Sequence, residues 1–309
     1  SGTSAAHFKQ MAGAIRQTRA FQSTEYKTTC KLSDPNENKN NLKIPYEQQS
    51  QWAKKIANHE FVICVELLPP KGLDTEKILE RSLYCKEKGI DAINIPDGPR
   101  ASARMSSLAT ACLIEQKIGI ETILHYACRD RNLLGMQSDF LGAAGLGLKN
   151  ILCVTGDPPK MGPYPNATAV FDIDAIGLVN MATRLNSGFD LGGASIGAPT
   201  CTSIGVGANP VSPDVEREKS RFRYKVEAGA HWAITQPVFD EESLYRFLDF
   251  SSQFKIPIIA GIWPLKSLRN AEFMANEVPG VFVPKIILDR MAKHKDSESQ
   301  MQEGIDIAR

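Results

Sequence analysis

The sequence carries almost no net charge and has no segment typical of an exported or membrane-spanning protein. Its 309 residues include 36 Lys and Arg against 35 Asp and Glu, which gives a formal net charge of +1. A balance this close provides no electrostatic reason to expect binding to nucleic acid or to an anionic membrane. No apolar run approaches the roughly 18 residues that a membrane-spanning helix needs, and no segment resembles a signal peptide. We therefore expect neither a nucleic-acid nor a membrane partner.

Motifs for metals, disulfides and covalent catalysis are also missing. The seven cysteines are an odd number, lie far apart and form no C-x-x-C pair, which argues against a zinc ribbon or a disulfide framework. The five histidines have no metal-ligand spacing, so no metal site is predicted. No P-loop, nucleophile elbow or H-E-x-x-H motif occurs. The simplest interpretation is a reduced, cytoplasmic protein.

From Phe61 onwards the sequence alternates short β-branched runs with amphipathic helical stretches. Most of the runs start about thirty residues apart, which is the length of one βα unit. The predicted strands are 61–68, 91–96, 121–128, 150–156, 202–208, 231–236 and 256–263. Helix starts are predicted between them at Asp74, at Ser212 followed by Pro213, and at Asp240, since these residue types cap helices.

Polar residues end nearly every predicted strand, namely Glu66, Asn94, His125, Asp157, Asn209 and Gln236. In an open doubly wound sheet, ligands bind mainly at one crevice, so most strand ends need not be functional. In a closed barrel, all carboxyl ends meet at one rim, which is where active sites lie. The pattern favours an α/β fold of the TIM (β/α)8 barrel type. Seven strands are visible, and we expect the eighth to be missing from this chain.

The first sixty residues differ from the rest. Residues 4–19 predict one short helix, with apolar side chains three and four positions apart. Residues 20–45 are polar and broken by Pro and Asn, a composition typical of a linker. A second helix is predicted over residues 46–57.

Two carboxylates are candidates for proton chemistry. Glu66 lies in an apolar strand just before two prolines. Loss of water there would raise its pKa and suit it to proton donation near neutral pH, unless it pairs with a Lys or Arg. Asp157 ends the fourth strand in T-G-D-P-P, where it either faces a ligand or only initiates a tight turn.

Other rim residues allow two interpretations each. His125 is either a binding residue or a hydrogen-bonded structural histidine. Arg129 and Arg131 in the run C-R-D-R-N either hold a phosphate or carboxylate or form a solvated network with Asp. The amide of Gln236 suits the edge of a heterocycle, or it caps the strand. A rim with acid, amide and imidazole groups but no metal ligands suits an organic cofactor.

Seven motifs, taken in order, resemble the methylenetetrahydrofolate reductase family, flavin-dependent barrel enzymes of one-carbon metabolism. They run from about Phe61 to about Leu268 and read VELLPP, NIPDGPRASARM, HYACRDRN, CVTGDPPKMGPYP, IGVGANP, KVEAGAHWAITQPVFD and AGIWPL. Their variants most resemble the reductase half of a bacterial bifunctional protein that begins with a homocysteine S-methyltransferase domain. The opening SGTSAAHFKQMAGAIR is similar to the closing helix of that domain. Its zinc-binding cysteines are not in this sequence, so neither a zinc site nor methyltransferase activity is implied.

The resemblance implies a division of the chain into three parts. Residues 1–20 would be a remnant of the upstream methyltransferase domain, residues 21–58 a linker and leading helix, and residues 59–309 the reductase barrel.

The resemblance also implies a reaction. It is the reduction of 5,10-methylenetetrahydrofolate to 5-methyltetrahydrofolate, with FAD as cofactor and NADH or NADPH as electron donor. Glu66 matches the general acid that opens the five-membered folate ring, Asp157 a catalytic residue near flavin and folate, and Gln236 a folate contact. Positions that match flavin contacts are His125, Thr155, Gly156, Asp157, Gly207, Asn209 and Lys225. Three positions differ from the family pattern. Thr155 stands where many members have Arg, Asn209 where some have Tyr, and Leu268 where some have a substrate-stacking Phe.

Alternatives stay open. The missing eighth strand is compatible with a catalytically incomplete fragment or a regulatory half of the bifunctional protein. A barrel lyase or aldolase is another alternative, with Lys225 as the plausible Schiff-base lysine. Exposed apolar faces of barrels often pair, so a homo-oligomer is also open.

Overall fold

A computed structural model describes residues 44–278 and 280–309, all of which belong to one compact unit. The helix predicted over 4–19, the proposed methyltransferase remnant over 1–20 and nearly all of the predicted linker lie outside the described residues. Six of the seven cysteines lie within them, and all six are free thiols. No helix in the described part is long and apolar enough to cross a membrane.

Seven parallel strands form one sheet, in which each strand pairs with the next along the chain. They are β1 (Cys64–Glu66), β2 (Ala92–Ile95), β3 (Glu121–Ala127), β4 (Asn150–Val154), β5 (Ser203–Ala208), β6 (Trp232–Pro237) and β7 (Ile258–Gly261). All seven predicted strands are confirmed, mostly shorter than predicted because the apolar runs continue beyond the hydrogen-bonded ladder.

Ten α-helices accompany the sheet. They are α1 (Gln51–Ala57), α2 (Glu76–Glu87), α3 (Ser107–Ile118), α4 (Leu133–Gly145), α5 (Ala175–Asn186), α6 (Val215–Glu227), α7 (Glu241–Ser251), α8 (Leu268–Glu277), α9 (Lys285–Ala292) and α10 (Ser297–Ala308), counted within the described residues. One helix follows each strand. Repeated βα units with a fully parallel sheet are the pattern of a TIM-like α/β fold, as predicted.

The sheet curls around a small interior core. Trp52 and Ile56 of α1 lie in one cluster with one buried residue from each of β2, β3, β4 and β6, namely Ala92, Ile123, Leu152 and Trp232. Residues of one short helix can share a cluster with four strands in this way only if the sheet curls. Between the outer face of the sheet and helices α2 to α7 lies a larger core that includes Tyr126, Phe140 and Phe222. The sheet is therefore covered on both faces, which explains why its strands are almost continuously apolar.

The described residues contain no eighth strand, and β1 and β7 are the edges of the sheet. Helices α8 to α10 follow β7 and share a core of their own, which includes Leu265, Met274 and Met291. Gly304 makes this packing possible, because an added Cβ would lie 1.7 Å from the backbone oxygen of Leu265.

Two predicted helix starts were wrong. Helix α6 does not begin at Ser212 and Pro213: the carboxylate of Asp214 caps it by accepting from the Arg217 N–H at 3.1 Å. Ser212 instead accepts from the Asp214 N–H at 3.3 Å and turns the chain into the helix. At the start of α2, Thr75 occupies the cap position, while Asp74 accepts from the Glu76 N–H at 2.9 Å.

The helix predicted over 46–57 is divided into a 3-10 turn, Tyr46–Gln48, and α1. The Ser50 hydroxyl accepts from the Ala53 N–H at 2.8 Å and so starts a new helix. The predicted start at Asp240 is confirmed, since its carboxylate accepts from the Ser243 N–H at 3.1 Å.

Candidate functional site

Three predicted rim residues lie side by side on the first three strands. Glu66 of β1 is the register partner of Asn94 of β2. The Asn94 Oδ1 atom lies 3.0 Å from Nε2 of His125 on β3. Acid, amide and imidazole therefore form one row across the carboxyl end of the sheet.

Glu66 is the acid of this row. Its side chain retains access to water at the open end of the edge strand β1, yet surrounding protein atoms raise the pKa of its carboxyl group by desolvation. Among the described residues, no cationic side chain pairs with the Glu66 carboxyl group. The structure therefore does not support the alternative interpretation, in which a Lys or Arg holds this Glu. A carboxyl group of this kind holds its proton at higher pH than an ordinary Glu does.

His125 is neutral near physiological pH. Burial lowers its pKa to about 4, although the carboxylate of Asp97 raises it. The one hydrogen bond of its ring among the described residues is the bond to Asn94. The ring is thus a neutral donor or acceptor rather than a cation.

Asp157 is held on two sides. Its Oδ2 atom accepts the Arg100 N–H at 3.1 Å, and its backbone oxygen accepts from the Arg129 guanidinium at 3.2 Å. These contacts join the loop after β4 to the loops after β2 and β3. Asp157 is therefore oriented by its neighbours and does more than initiate a turn.

The residue that holds the Asp157 carboxylate lies in an unusual loop, the β2 strap (residues 98–101). Arg100 and Ala101 have φ angles of 56° and 50°, a left-handed conformation that costs a non-glycine residue roughly 1–3 kcal/mol. Gly162, in the loop after β4, lets that loop approach the β2 strap, because an added Cβ there would lie 2.5 Å from the Ala101 oxygen. The Arg100 guanidinium stacks on the ring of Phe273 in α8 at 4.5 Å. The β2 strap therefore connects Asp157 to α8.

The arginines of C-R-D-R-N are engaged in an Arg–Asp network. Arg129 is 3% exposed and binds Asp130 through two nitrogens at 2.7 and 2.6 Å. Arg131 pairs with Asp97 at 2.7 Å and with Asp139 at 2.9 Å. These arginines position the rim, which decides between the two interpretations of this run.

Thr155 and Gly156 precede Asp157 and have different surroundings. The Thr155 hydroxyl accepts from the Ala175 N–H at 3.2 Å, at the start of α5. Gly156 has a φ angle of 92°, and an added Cβ would lie 3.0 Å from the Ala127 side chain. The turn therefore requires glycine, while Thr155 ties the strand to a helix.

Gly207, Asn209 and Lys225 form a second group at the end of β5. The Lys225 ammonium donates to the Gly207 oxygen at 2.8 Å, and burial lowers its pKa while Glu218 opposes that shift. Asn209 donates to the Gly280 oxygen at 3.1 Å. An added Cβ on Gly207 would have no atom within 4 Å, so space is open beside it. An amine engaged as a donor in this way does not favour the Schiff-base alternative.

Gln236 lies on β6, two positions beyond the inward-facing Ile234, and is exposed. Its backbone oxygen accepts from the Thr235 hydroxyl at 2.8 Å, but its side-chain amide has no partner among the described residues. The free amide is compatible with a ligand contact at the rim.

Sequence reasoning missed Arg100 and gave Asn94 no role beyond ending a strand. A conspicuous Gly-Pro turn after β2 could have drawn attention to Arg100. No local signal indicates that its backbone N–H reaches Asp157, 57 residues later.

A cavity of about 320 Å³ lies beside the loop after β1, lined by Leu67, Leu73, Lys77 and Arg81 among others. None of the predicted site residues lines it. Within the described residues, no group of three or more His, Cys, Asp or Glu side chains is placed to hold a metal ion. The candidate site is therefore the open rim at the carboxyl end of the sheet. It contains the row from Glu66 to His125, and also Asp157, Gly207 and Gln236.

Comparison with known proteins gives a consistent result. A family model described as methylenetetrahydrofolate reductase matches residues 51–309. A 5,10-methylenetetrahydrofolate reductase of Buchnera aphidicola subsp. Schizaphis graminum is 26% identical over 260 residues, which cover 82% of this chain and 83% of the relative. A probable methylenetetrahydrofolate reductase (NADPH) of Caenorhabditis elegans is 25% identical, and the match covers 84% of this chain but 40% of the relative.

Relatives differ in the electron donor that their names give. The Arabidopsis thaliana methylenetetrahydrofolate reductase (NADH) 1 is 26% identical over 69% of this chain and 38% of its own length. Among solved structures, an uncharacterized Clostridium thermocellum protein that binds two copies of 5-methyl-5,6,7,8-tetrahydrofolic acid superimposes with a TM-score of 0.57. It is 20% identical, with 84% of this chain and 85% of that chain covered, which supports the fold.

Proposed function

The chain belongs to the methylenetetrahydrofolate reductase family, and we propose on this premise that it reduces 5,10-methylenetetrahydrofolate to 5-methyltetrahydrofolate. The observation that carries the proposal is Glu66 at the rim, a carboxyl group whose pKa is raised by desolvation and which no cation neutralises among the described residues. Proton donation to the substrate requires such a group. The relatives are named for both NADH and NADPH, so the donor is one of these nicotinamides.

Glu66 would hold its proton on a carboxyl oxygen and deliver it to a nitrogen of the five-membered ring of the folate. Protonation makes that nitrogen a better leaving group, so the ring opens and the methylene carbon becomes an electrophile. The free amide of Gln236 would orient the folate by a hydrogen bond. Asp157, held by Arg100 and Arg129, would present its carboxylate at a defined place beside the reacting groups.

The rim residues fit a flavin. Space is open beside Gly207, where a flat group could approach the backbone, and the neutral His125 adds no charge to the interior. We propose that FAD is held by His125, Thr155, Gly156, Asp157, Gly207, Asn209 and Lys225. When bound, FAD would take electrons from the nicotinamide and supply a hydride to the methylene carbon. Thr155 and Lys225 would act through the backbone that they fix, since both polar groups are engaged by α5 and β5.

The division of the chain stays a prediction. We propose that residues 1–20 derive from a homocysteine S-methyltransferase domain, on their resemblance to its closing helix. Helix α1, which we placed with the linker in 21–58, packs against inward residues of the sheet at its amino end, and the family match begins at residue 51. A cytoplasmic location and a homo-oligomeric state likewise stay predictions.

The proposal is tested by visible absorption of the whole chain. After incubation with FAD and removal of free cofactor, we expect a flavin spectrum that NADH or NADPH bleaches without oxygen and that methylenetetrahydrofolate restores. Protein that takes up no FAD would contradict the proposal. Bleaching without reoxidation by the folate would instead support the alternative of a catalytically incomplete chain.

A further inference from the structure

Asn94 lies between two groups of the proposed chemistry and has no assigned role. It is 6% exposed, and its register partners are Glu66 on one side and Ile123 on the other. Its side-chain oxygen lies 3.0 Å from Nε2 of His125. A buried amide must satisfy both its oxygen and its nitrogen, so its orientation determines what its neighbours can do.

The orientation of the amide follows from the atom that it presents to the imidazole. The oxygen Oδ1 of Asn94, and not its NH₂ group, is the atom 3.0 Å from Nε2 of His125. An oxygen can only accept, and therefore Nε2 of His125 must carry the hydrogen.

A neutral imidazole carries one N–H, so a hydrogen on Nε2 leaves Nδ1 without one. We propose that Asn94 is a positioning residue that holds His125 as the Nε2–H tautomer, with Nδ1 as an unprotonated hydrogen-bond acceptor. Among the described residues Nδ1 has no partner. The site therefore selects a ligand that presents an N–H or O–H donor to His125 and disfavours one that presents a carbonyl oxygen.

The tautomer itself is independent of the proposed function. Its role towards a bound flavin, which would present such a donor, rests on that function. Two measurements separate these statements.

The first measurement is nitrogen NMR of the whole chain with ¹⁵N-labelled histidine and no ligand. The sequence has five histidines, and His125→Gln identifies the signal of His125. We expect the Nε2–H pattern between pH 6 and 8 in the wild type, and a mixture of tautomers or the Nδ1–H form in Asn94→Leu. An Nδ1–H pattern in the wild type, or an unchanged pattern in Asn94→Leu, would overturn the proposal.

Asn94→Asp keeps the size of the side chain and provides a second variant should Asn94→Leu fold poorly. A carboxylate beside Nε2 should raise the pKa of His125, so the doubly protonated ring should appear at higher pH than in the wild type. No upward shift would count against the contact. Asn150→Leu is the matched control, because it removes a buried amide from the other end of the barrel and should leave the pattern of His125 unchanged.

The second measurement is FAD affinity from flavin fluorescence. Loss of one oriented hydrogen bond should weaken FAD binding about 3- to 10-fold in Asn94→Leu and leave it unchanged in Asn150→Leu. Equal weakening in both variants, or none in Asn94→Leu, would overturn the role towards flavin while the NMR result stands. A wild type that binds no FAD would overturn the proposed function and leave the tautomer to be judged by NMR alone.

Discussion

The two ends of the barrel are built differently, although the same strands run through both. At the amino end, the Glu121 carboxylate accepts from the backbone N–H groups of Gln51 and Trp52 at 2.7 and 2.9 Å. The Trp52 ring packs edge-on against Trp232, with ring centroids 5.6 Å apart. Helix α1 thus closes this end with buried aromatic rings and with backbone N–H groups that bind a carboxylate.

At the carboxyl end, the side chains of Glu66 and Gln236 have no partner in the described part of the chain, and the β2 strap holds left-handed residues. Exposed polar side chains of this kind are available to bind a ligand, and backbone strain is common at ligand sites. This difference indicates that the amino end stabilises the fold, whereas the carboxyl end provides the residues for binding and catalysis, as in barrel enzymes generally. Variants at the two ends should therefore have opposite effects.

The largest effect is expected for Glu66→Gln. An amide has the shape of the acid but no proton to give, so folate reduction should fall by about 10²- to 10⁴-fold. FAD binding, oxidation of NADH or NADPH and the urea midpoint should stay unchanged. Stopped-flow reoxidation of the reduced protein by the folate measures this, with the exposed Glu80→Gln as the control. Normal folate turnover in Glu66→Gln would refute the assignment of the acid.

Trp52→Ala should have the converse effect. Removing a fully buried ring from the interior leaves a cavity and should lower the free energy of unfolding by about 3–5 kcal/mol. The spectrum of bound FAD should be unchanged in the protein that remains folded. Urea denaturation followed by circular dichroism provides the measurement, and Tyr245→Ala, at a residue 65% exposed, is the control. A wild-type urea midpoint would show that α1 does not stabilise the barrel.

Acid should destabilise both ends, because each contains a half-buried neutral histidine. Burial lowers the pKa of His125 and of His231 to about 4. In the unfolded chain the value is near 6.5, so between pH 6.5 and 4 the unfolded state binds more protons than the folded one. The contribution of each neutral histidine to the free energy of unfolding is therefore fully present above about pH 6.5. It is lost as the pH drops towards 4, by about 1–3 kcal/mol for each histidine.

Urea titrations between pH 7.5 and 4.5 check this expectation. At the amino end, Nδ1 of His231 accepts the Ile204 N–H at 3.0 Å, so protonation there also removes a hydrogen bond. His231→Gln should flatten part of the profile. A free energy of unfolding that is constant over this range would contradict the neutral state of the two half-buried rings.

The smallest effect is expected for Gly162→Ala. The added methyl group would displace the oxygen of Ala101 and with it the Arg100 N–H that holds Asp157. A displacement of well under 1 Å should reduce folate turnover about tenfold, since reaction rates depend steeply on alignment. Gly142→Ala in α4, where an added Cβ has no atom within 4 Å, is the control. Equal turnover in both variants would show that the β2 strap does not orient Asp157.

Much of the fold could be predicted because its signals are local. The β-branched runs, their thirty-residue spacing and the polar residues at their ends placed all seven strands and the rim. The helix starts were less certain, since Ser212 and Asp214 can both cap a helix. The choice between them depends on which side chain reaches a free N–H group in three dimensions.

The candidate site was predictable as a set of strand ends but not as a set of contacts. Asn94 and His125 are 31 residues apart, and Arg100 and Asp157 are 57 apart. No local pattern links these pairs, because the pairing depends on strand register and on the path of the loops. For the same reason, the sequence left two roles open for the arginines after β3, and the structure shows them paired with Asp97, Asp130 and Asp139.

By itself, the sequence determined the alternation of strands and helices, the near-zero net charge and the residue types that end the strands, since each is a property of neighbouring residues or of composition. Only the tertiary structure decided that α1 closes one end, that Glu66 is desolvated without a cation among the described residues, and that Asn94 faces His125. These properties depend on how water is excluded and on which distant groups meet when the sheet curls. Both the exclusion of water and these contacts arise only when elements far apart in the chain pack against each other.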